Sequence, residues 1–240
     1  MNSTRLGVQS AFTAEVNKLL RLTSVRRTRP RGSRAWPRMG LIPGVAMDLT
    51  TYDQFGNPWD FNVPAMRAKA KKIVKAKSAL FLIVSPMCAA FSRLQTFNAK
   101  RLGVEKMREM LEYGVKHLTF ALDLCETQRR YGLYFLFEHP AGASCWNTTP
   151  MQIMLRRGGV RTYEGDLCCY DLKQTVEGEE CHIKKPTRFM TNSSFIGQAL
   201  SERCMGQRRH MELTGGGRTK RSEVYPDKLC RAMLEGLIQH

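Results

Sequence analysis

The 240 residues include 38 Lys and Arg against 21 Asp and Glu, a formal charge of +17, which makes polyanions the natural partners. With 42% hydrophobic and 25% charged residues, the composition excludes a wholly disordered, collagenous or coiled-coil protein, and the length favours one domain. The longest apolar run, Ala79 to Val84, is far short of the roughly 20 residues of a membrane span, and nothing resembles a signal peptide. An intracellular protein, cytoplasmic or nuclear and not secreted, is therefore expected, with its eight cysteines as reduced thiols because their spacing fits no disulfide framework.

Residues 1–40 read as a basic arm: a short helix over Ala11 to Leu22, then Arg26, Arg27, Arg29, Arg31, Arg34 and Arg38, with Pro30, Gly32 and Pro37 breaking any helix. Such arginines add salt-sensitive affinity for nucleic acid without specificity. From residue 41 to the end, apolar runs alternate with helical stretches. A strand is expected over Gly44 to Leu49, then turns through Asp53, Gly56, Asn57 and Pro58, and a basic helix over Pro64 to Lys77. Ala79 to Ser85 reads as a central strand. Helical spacing of Met107, Leu111, Val115, Leu118, Leu122 and Cys125 predicts a helix over Val104 to Arg130. A strand at Leu133 to Phe137, a helix at Thr149 to Arg157 and a strand at Val160 to Tyr163 follow. This alternation predicts an α/β fold with a doubly wound, mostly parallel sheet, whose ligands sit beyond the carboxyl ends of the strands.

Two strand ends carry the chemistry. One delivers Pro86, Met87 and Cys88; the other delivers Glu138, His139 and Pro140. In a parallel sheet both lie on one rim, so a thiol and a carboxyl share a crevice. LFLIVSPMCAAFS resembles the nucleophile loop of DNA cytosine-5 methyltransferases, and FLFEHP resembles that family's next strand, which ends in Glu-Asn-Val or Glu-Asn-Pro. Lys185 to Phe189, after the strand-like stretch GDLCCYDL, is similar to the family's Pro-Gln-x-Arg-x-Arg element. EVYPDKLCRAMLEGL, from Glu223 to Leu237, is similar to its terminal segment, where a proline opens a helix returning to the cofactor site.

The resemblance implies a Rossmann-like methyltransferase fold and methylation of cytosine C5 in DNA from S-adenosylmethionine. Cys88 would attack C6, Glu138 would hold or protonate N3, and Arg188 would steady the thiolate or the base. The donor would be contacted by Asp48, Asp53, Pro86 and Pro226. The chemistry explains the residue types: C6 is a poor electrophile, and only attack by a thiolate with acid assistance makes C5 nucleophilic. The base must be flipped out or already single-stranded. A basic surround, Arg93 with Arg188, favours the ionised thiol.

The chain also departs from the family pattern. Met87 stands in place of a second proline and His139 in place of asparagine, and no Phe-x-Gly-x-Gly stretch precedes Asp48. These departures favour an alternative, a non-catalytic nucleic-acid-binding module that kept the sheet and lost the donor site. Asp48 and Asp53 have turn formation as their other role. A small basic insertion at about 190–222 replaces a large specificity region, with Arg208, Arg209, Arg218, Lys220 and Arg221 as phosphate contacts. In it Cys204 lies six residues before His210, with Cys168, Cys169, Cys181 and His182 upstream. That set is compatible with zinc, but the irregular spacing and the lack of a Cys-x-x-Cys pair favour packed thiols. Trp36, Trp59 and Trp146 are expected in the core or at a rim.

Overall fold

The structure is a computed structural model; it describes residues 21–22, 41–76, 79–92, 95–176, 179–206, 209–211 and 225–240. The expected N-terminal helix lies outside these residues except for Arg21–Leu22, which form a two-residue strand, β1, antiparallel to β2 at Ile42–Pro43. No strand forms at Gly44 to Leu49. Local side-chain bonds win there: the Asp48 carboxylate accepts from the Thr50 amide at 2.6 Å, and the Thr51 hydroxyl accepts from the Asp48 amide at 2.9 Å, the competition that short polar side chains offer to regular structure.

Helix α1, Pro64–Lys75, opens on a proline, whose fixed φ suits the first helical turn. Strand β3, Phe81–Val84, follows. Helix α2, Gln95–Arg130, is interrupted at Gly103, where φ 78° and ψ 162° are non-helical, so the expected helix from Val104 is its main part. Strand β4 spans Tyr134–Pro140, helix α3 Thr149–Leu155 and strand β5 Arg161–Asp166. The segment GDLCCYDL is not one strand; it turns at the end of β5 into a 3-10 helix, Leu167–Tyr170. Strands β6, Lys173–Val176, β7, Glu179–Ile183, and β8, Pro186–Thr191, lead to helix α4, Ser194–Ala199, strand β9, His210–Met211, and helix α5, Asp227–Ile238.

The main sheet runs β3-β4-β8-β5. It is a mixed sheet: β3 and β4 are parallel, while β8 lies between β4 and β5 and is antiparallel to both. The fold is thus α/β, as expected, but not with a mostly parallel sheet. Among the described residues β3 is an outer strand, a correction to the central position expected from its composition; only Phe81 of its four residues is buried. The inner strands are β4, buried from Phe135 to His139, and β8.

Strand alternation assigns each residue a face. Phe81, Leu136 and Phe189 pack with Ile196 of α4 and with Leu229, Met233 and Leu237 of α5. Phe135, Phe137 and Met190 pack with Leu118, Leu122 and Cys125 of α2 and Met151 of α3. Helix α1 adds Ala70 and Val74 to Trp59, Phe120 and Leu124. Trp59 and Trp146 are core, both 2% exposed; Trp36 lies outside the described residues. The expected insertion begins as core too, since Ile196 and Leu200 are fully buried. A small second sheet, β6-β7-β9, stands apart from the first. No helix among the described residues is long and apolar enough to cross a membrane.

Helix α5 docks on α4 through Gly236. A Cβ there would lie 2.7 Å from Ile196 Cα and 2.9 Å from the Phe195 carbonyl oxygen, and neither backbone atom can step aside. Gly236→Ala is therefore expected to cost about 1–3 kcal/mol by overpacking, read as a Tm lower by roughly 2–4 °C per kcal/mol. An unchanged Tm in thermal unfolding would refute this docking.

Candidate active site

The site lies at the carboxyl ends of β3 and β4. Val84 pairs with Phe137, so the next residues, Ser85 and Glu138, project from the same sheet face. Their side chains meet: the Ser85 hydroxyl donates to Glu138 Oε2 at 2.7 Å. Glu138 is 4% exposed, and its Oε1 is buried with no hydrogen-bond partner among the described residues. Tyr225, just before α5, lies beside this pair. Burial, then the Glu138 charge beside it, pushes the phenol well above its usual range, so Tyr225 remains protonated.

Three residues beyond Ser85, Cys88 leads a 3-10 turn, Ala89–Phe91, closed by the Phe91 amide on the Cys88 carbonyl at 3.0 Å. Helix α2 seats this turn through Gly114, where a Cβ would fall 2.5 Å from the Ala90 methyl group. Cys88 itself is half-buried. The two strand ends therefore bring the expected thiol and carboxyl to one rim, with Ser85 joining them.

His139 faces the other way. It pairs with Arg188 across β4 and β8, on the face that holds α2 and α3, and it is fully buried. Burial lowers its pKa to about 4, while the Glu138 charge and the nearby Pro86 and Met87 carbonyls act in the opposite direction. The neutral ring stacks on Phe137 and meets Phe91 edge-on. Its Nδ1 lies 3.1 Å from Cys145 Sγ. Burial first, then the Cys88 charge, raises Cys145 to about 12, so the thiol keeps its proton and Nδ1 is assigned as the acceptor. A side chain placed this way cannot meet a base where the family asparagine would; it supports the Pro86–Met87 loop from below.

Arg188 is held from two sides. Its Nε donates to Glu164 Oε1 at 2.8 Å, and its guanidinium carbon lies 5.2 Å from the centre of the Trp146 ring. Glu164 also accepts from Arg203 at 3.0 Å, and these contacts, the Arg188 hydrogen bond foremost, hold its carboxyl below the usual range. Cys88, Arg188 and Glu138 each act electrostatically on Cys145, but Arg188 shares the His139 face of the sheet while Glu138 projects from the opposite face. The strand ends thus bring Cys88 and Glu138 to one rim and leave Arg188 on the other face.

The expected donor contacts are less well placed. The Asp53 carboxylate accepts from Lys69 at 2.6 Å and from the Phe55 and Asn57 amides at 2.8 and 2.9 Å. The Lys69 hydrogen bond, chiefly, holds it well below the usual carboxylate range. Asp53 thus serves as a turn and ion-pair residue, the other role expected for it. Asp48 fits better: its Oδ2 is buried with no hydrogen-bond partner among the described residues. Pro86 is buried beneath the thiol loop, and Pro226 caps α5 next to Tyr225. Of the expected phosphate contacts, Arg209 is exposed, with Glu179 4.0 Å away; Arg93, Arg208, Arg218, Lys220 and Arg221 lie outside the described residues.

A second group of possible ligands lies on the small sheet's side of the molecule. Cys168, Cys204 and His210 have their sulfur and nitrogen atoms within 4.8 Å of one another. Burial pushes Cys168 up to about 12, and the adjacent Cys204 adds to the shift. Sequence reasoning missed Ser85, Tyr225, Cys145 and Glu164 as parts of the main site. Glu164 becomes visible only once β8 is known to lie between β4 and β5, opposite Arg188. No family model, curated protein or solved structure matches the chain.

Proposed function

We propose that the chain methylates C5 of cytosine in a nucleic acid, with Cys88 as nucleophile and Glu138 as acid. The observation that carries this reading is the Glu138 carboxyl: one oxygen is fixed by Ser85 and the other is buried and unpartnered, on the rim that bears Cys88. An orphaned buried oxygen costs on the order of 1–3 kcal/mol unless a ligand completes it. The N3 and amino edge of cytosine offers one acceptor and one donor, the complement of a carboxyl group that passes a proton to N3 and accepts from the amino group.

The Cys88 thiolate forms a bond to C6, the C5–C6 π pair moves toward N3, and N3 takes the Glu138 proton. S-adenosylmethionine, when bound, supplies the electrophilic methyl group. After transfer, water takes the C5 proton, the C–H pair re-forms the C5–C6 double bond and expels the Cys88 thiolate from C6, and the proton on N3 returns to Glu138. Arg188 lowers the energy of the thiolate and of the base anion, but only in part, since Glu164 takes up much of its charge. The positive net charge supports nucleic acid as the carrier of the base.

A second reading, a binding module without catalysis, draws support from Asp53, whose carboxylate is consumed by Lys69. Donor binding separates the two. Calorimetry with S-adenosylmethionine should give saturable binding that Asp48→Asn weakens and Asp53→Asn leaves unchanged. Glu138→Gln should keep that binding and lower methyl transfer by ~10²–10⁴-fold. Absence of donor binding, with nucleic-acid binding intact, would establish the module instead.

A further inference from the structure

The loop after α4 returns to the 3-10 turn after β5 and then enters β9. It brings Cys168, Cys204 and His210 together from three separate segments. Cys204 Sγ and His210 Nε2 are 3.4 Å apart. A tetrahedral ion with zinc–sulfur bonds near 2.3 Å and zinc–nitrogen bonds near 2.1 Å has a sulfur–nitrogen edge of about 3.6 Å. That edge is already close to formed. We propose that Cys168, Cys204 and His210 bind a structural zinc ion, with the adjacent Cys169 thiol as the fourth ligand.

Four features support it. The Gly206 amide donates to Cys204 Sγ at 3.5 Å, so the backbone two residues onward holds the sulfur beside His210. The Cys204 amide in turn donates to the Asp166 carboxylate at 2.9 Å; Asp166 is 1% exposed, so the turn that presents the sulfur is fixed by a buried partner, as outer-shell groups fix metal ligands. Cys169 follows Cys168 in the same 3-10 turn and is half-buried, which leaves its thiol accessible to the ion. Finally, β9 has two residues and, among the described residues, joins the small sheet only through the pairs His182–His210 and Ile183–Met211. So short a strand has little stability of its own, and a metal bridge from His210 to the turn after β5 would secure it. Three thiolates with one imidazole, in tetrahedral array, select zinc over the harder divalent ions.

The test uses the full chain, purified without tags, chelators or added metal and kept reduced. Elemental analysis should find about one zinc per chain. Reconstitution with cobalt should give the visible absorption of a tetrahedral ion together with thiolate charge-transfer bands. Cys204→Ser and His210→Ala should reduce zinc to near zero, His210→Cys should restore it, and Cys88→Ser and Cys181→Ser should leave it at one. Cys169→Ser should weaken retention against a competing chelator by ~10–100-fold. Should the ligand variants fail to fold, the wild-type zinc content, the cobalt spectrum and a Tm lowered by chelator still decide the question. Failure to take up zinc after reconstitution, zinc retained in both Cys204→Ser and His210→Ala, or a Cys168–Cys204 disulfide in the reduced preparation would each overturn the site; unaltered retention in Cys169→Ser would overturn the fourth ligand.

Discussion

Cys88→Ala is expected to abolish covalent capture of an oligonucleotide containing 5-fluorocytosine, by at least ~10³-fold relative to the wild-type chain. Fluorine at C5 cannot leave as a cation, so in the presence of S-adenosylmethionine the S–C6 bond persists after methyl transfer and the complex survives denaturation. Only the residue that forms that bond is indispensable to the trap. The Cys88 side chain is half-buried at the head of a short turn, and its backbone conformation suits alanine, so the variant should fold with an unchanged Tm. It should also bind nucleic acid with the same salt dependence, because that affinity belongs to the lysines and arginines. Capture by Cys88→Ala at the wild-type level would transfer the nucleophile to another cysteine.

His139 gives the second large effect, on stability. Its pKa is about 4 in the folded chain because burial disfavours the charged ring, against about 6.5 when unfolded. Between those values the unfolded chain takes up a proton that the folded chain refuses. Stability is therefore highest above pH 6.5 and falls as the pH drops toward 4, by up to ~1.4 kcal/mol per pH unit and about 3 kcal/mol in all. Urea unfolding from pH 7 to pH 4.5 should show that slope. His139→Asn, which loses the stacking on Phe137, should be less stable at pH 7 yet lose less on acidification. Parallel pH profiles for the two proteins would mean that the histidine is charged in the native state.

The strand ends were legible in the sequence because each was announced by a run of branched and aromatic residues followed by a proline-containing turn. Reading Ala79–Ser85 and Leu133–Phe137 as parallel neighbours places Cys88 and Glu138 beyond adjacent strand ends, and the ladder from Phe81 with Tyr134 to Val84 with Phe137 shows that pairing. What was hidden depended on distant partners. The stretch Pro186–Thr191 has no clean alternation, because Thr187 and Met190 are buried on opposite faces of a strand covered on both sides; its insertion between β4 and β5 makes the sheet mixed. The run before Leu49 looked like a strand, but Asp48 and Thr51 bend it locally. Asp53 looked available until α1 brought Lys69 to it. The thiols of Cys168 and Cys204 meet only through the loop that follows α4, a closure that sequence spacing does not express.

Exchange of the C5 hydrogen of cytosine with deuterated solvent, measured by mass spectrometry of an oligonucleotide without any methyl donor, tests the Cys88–Glu138 pair most directly. Reversible thiolate addition at C6 with protonation at N3 lets C5 accept a deuteron and release its proton. Exchange by the wild-type chain that is lost in both Cys88→Ala and Glu138→Gln is the predicted result. A wild-type chain that binds the oligonucleotide yet leaves C5 unexchanged, or exchange that persists in both variants, would contradict it.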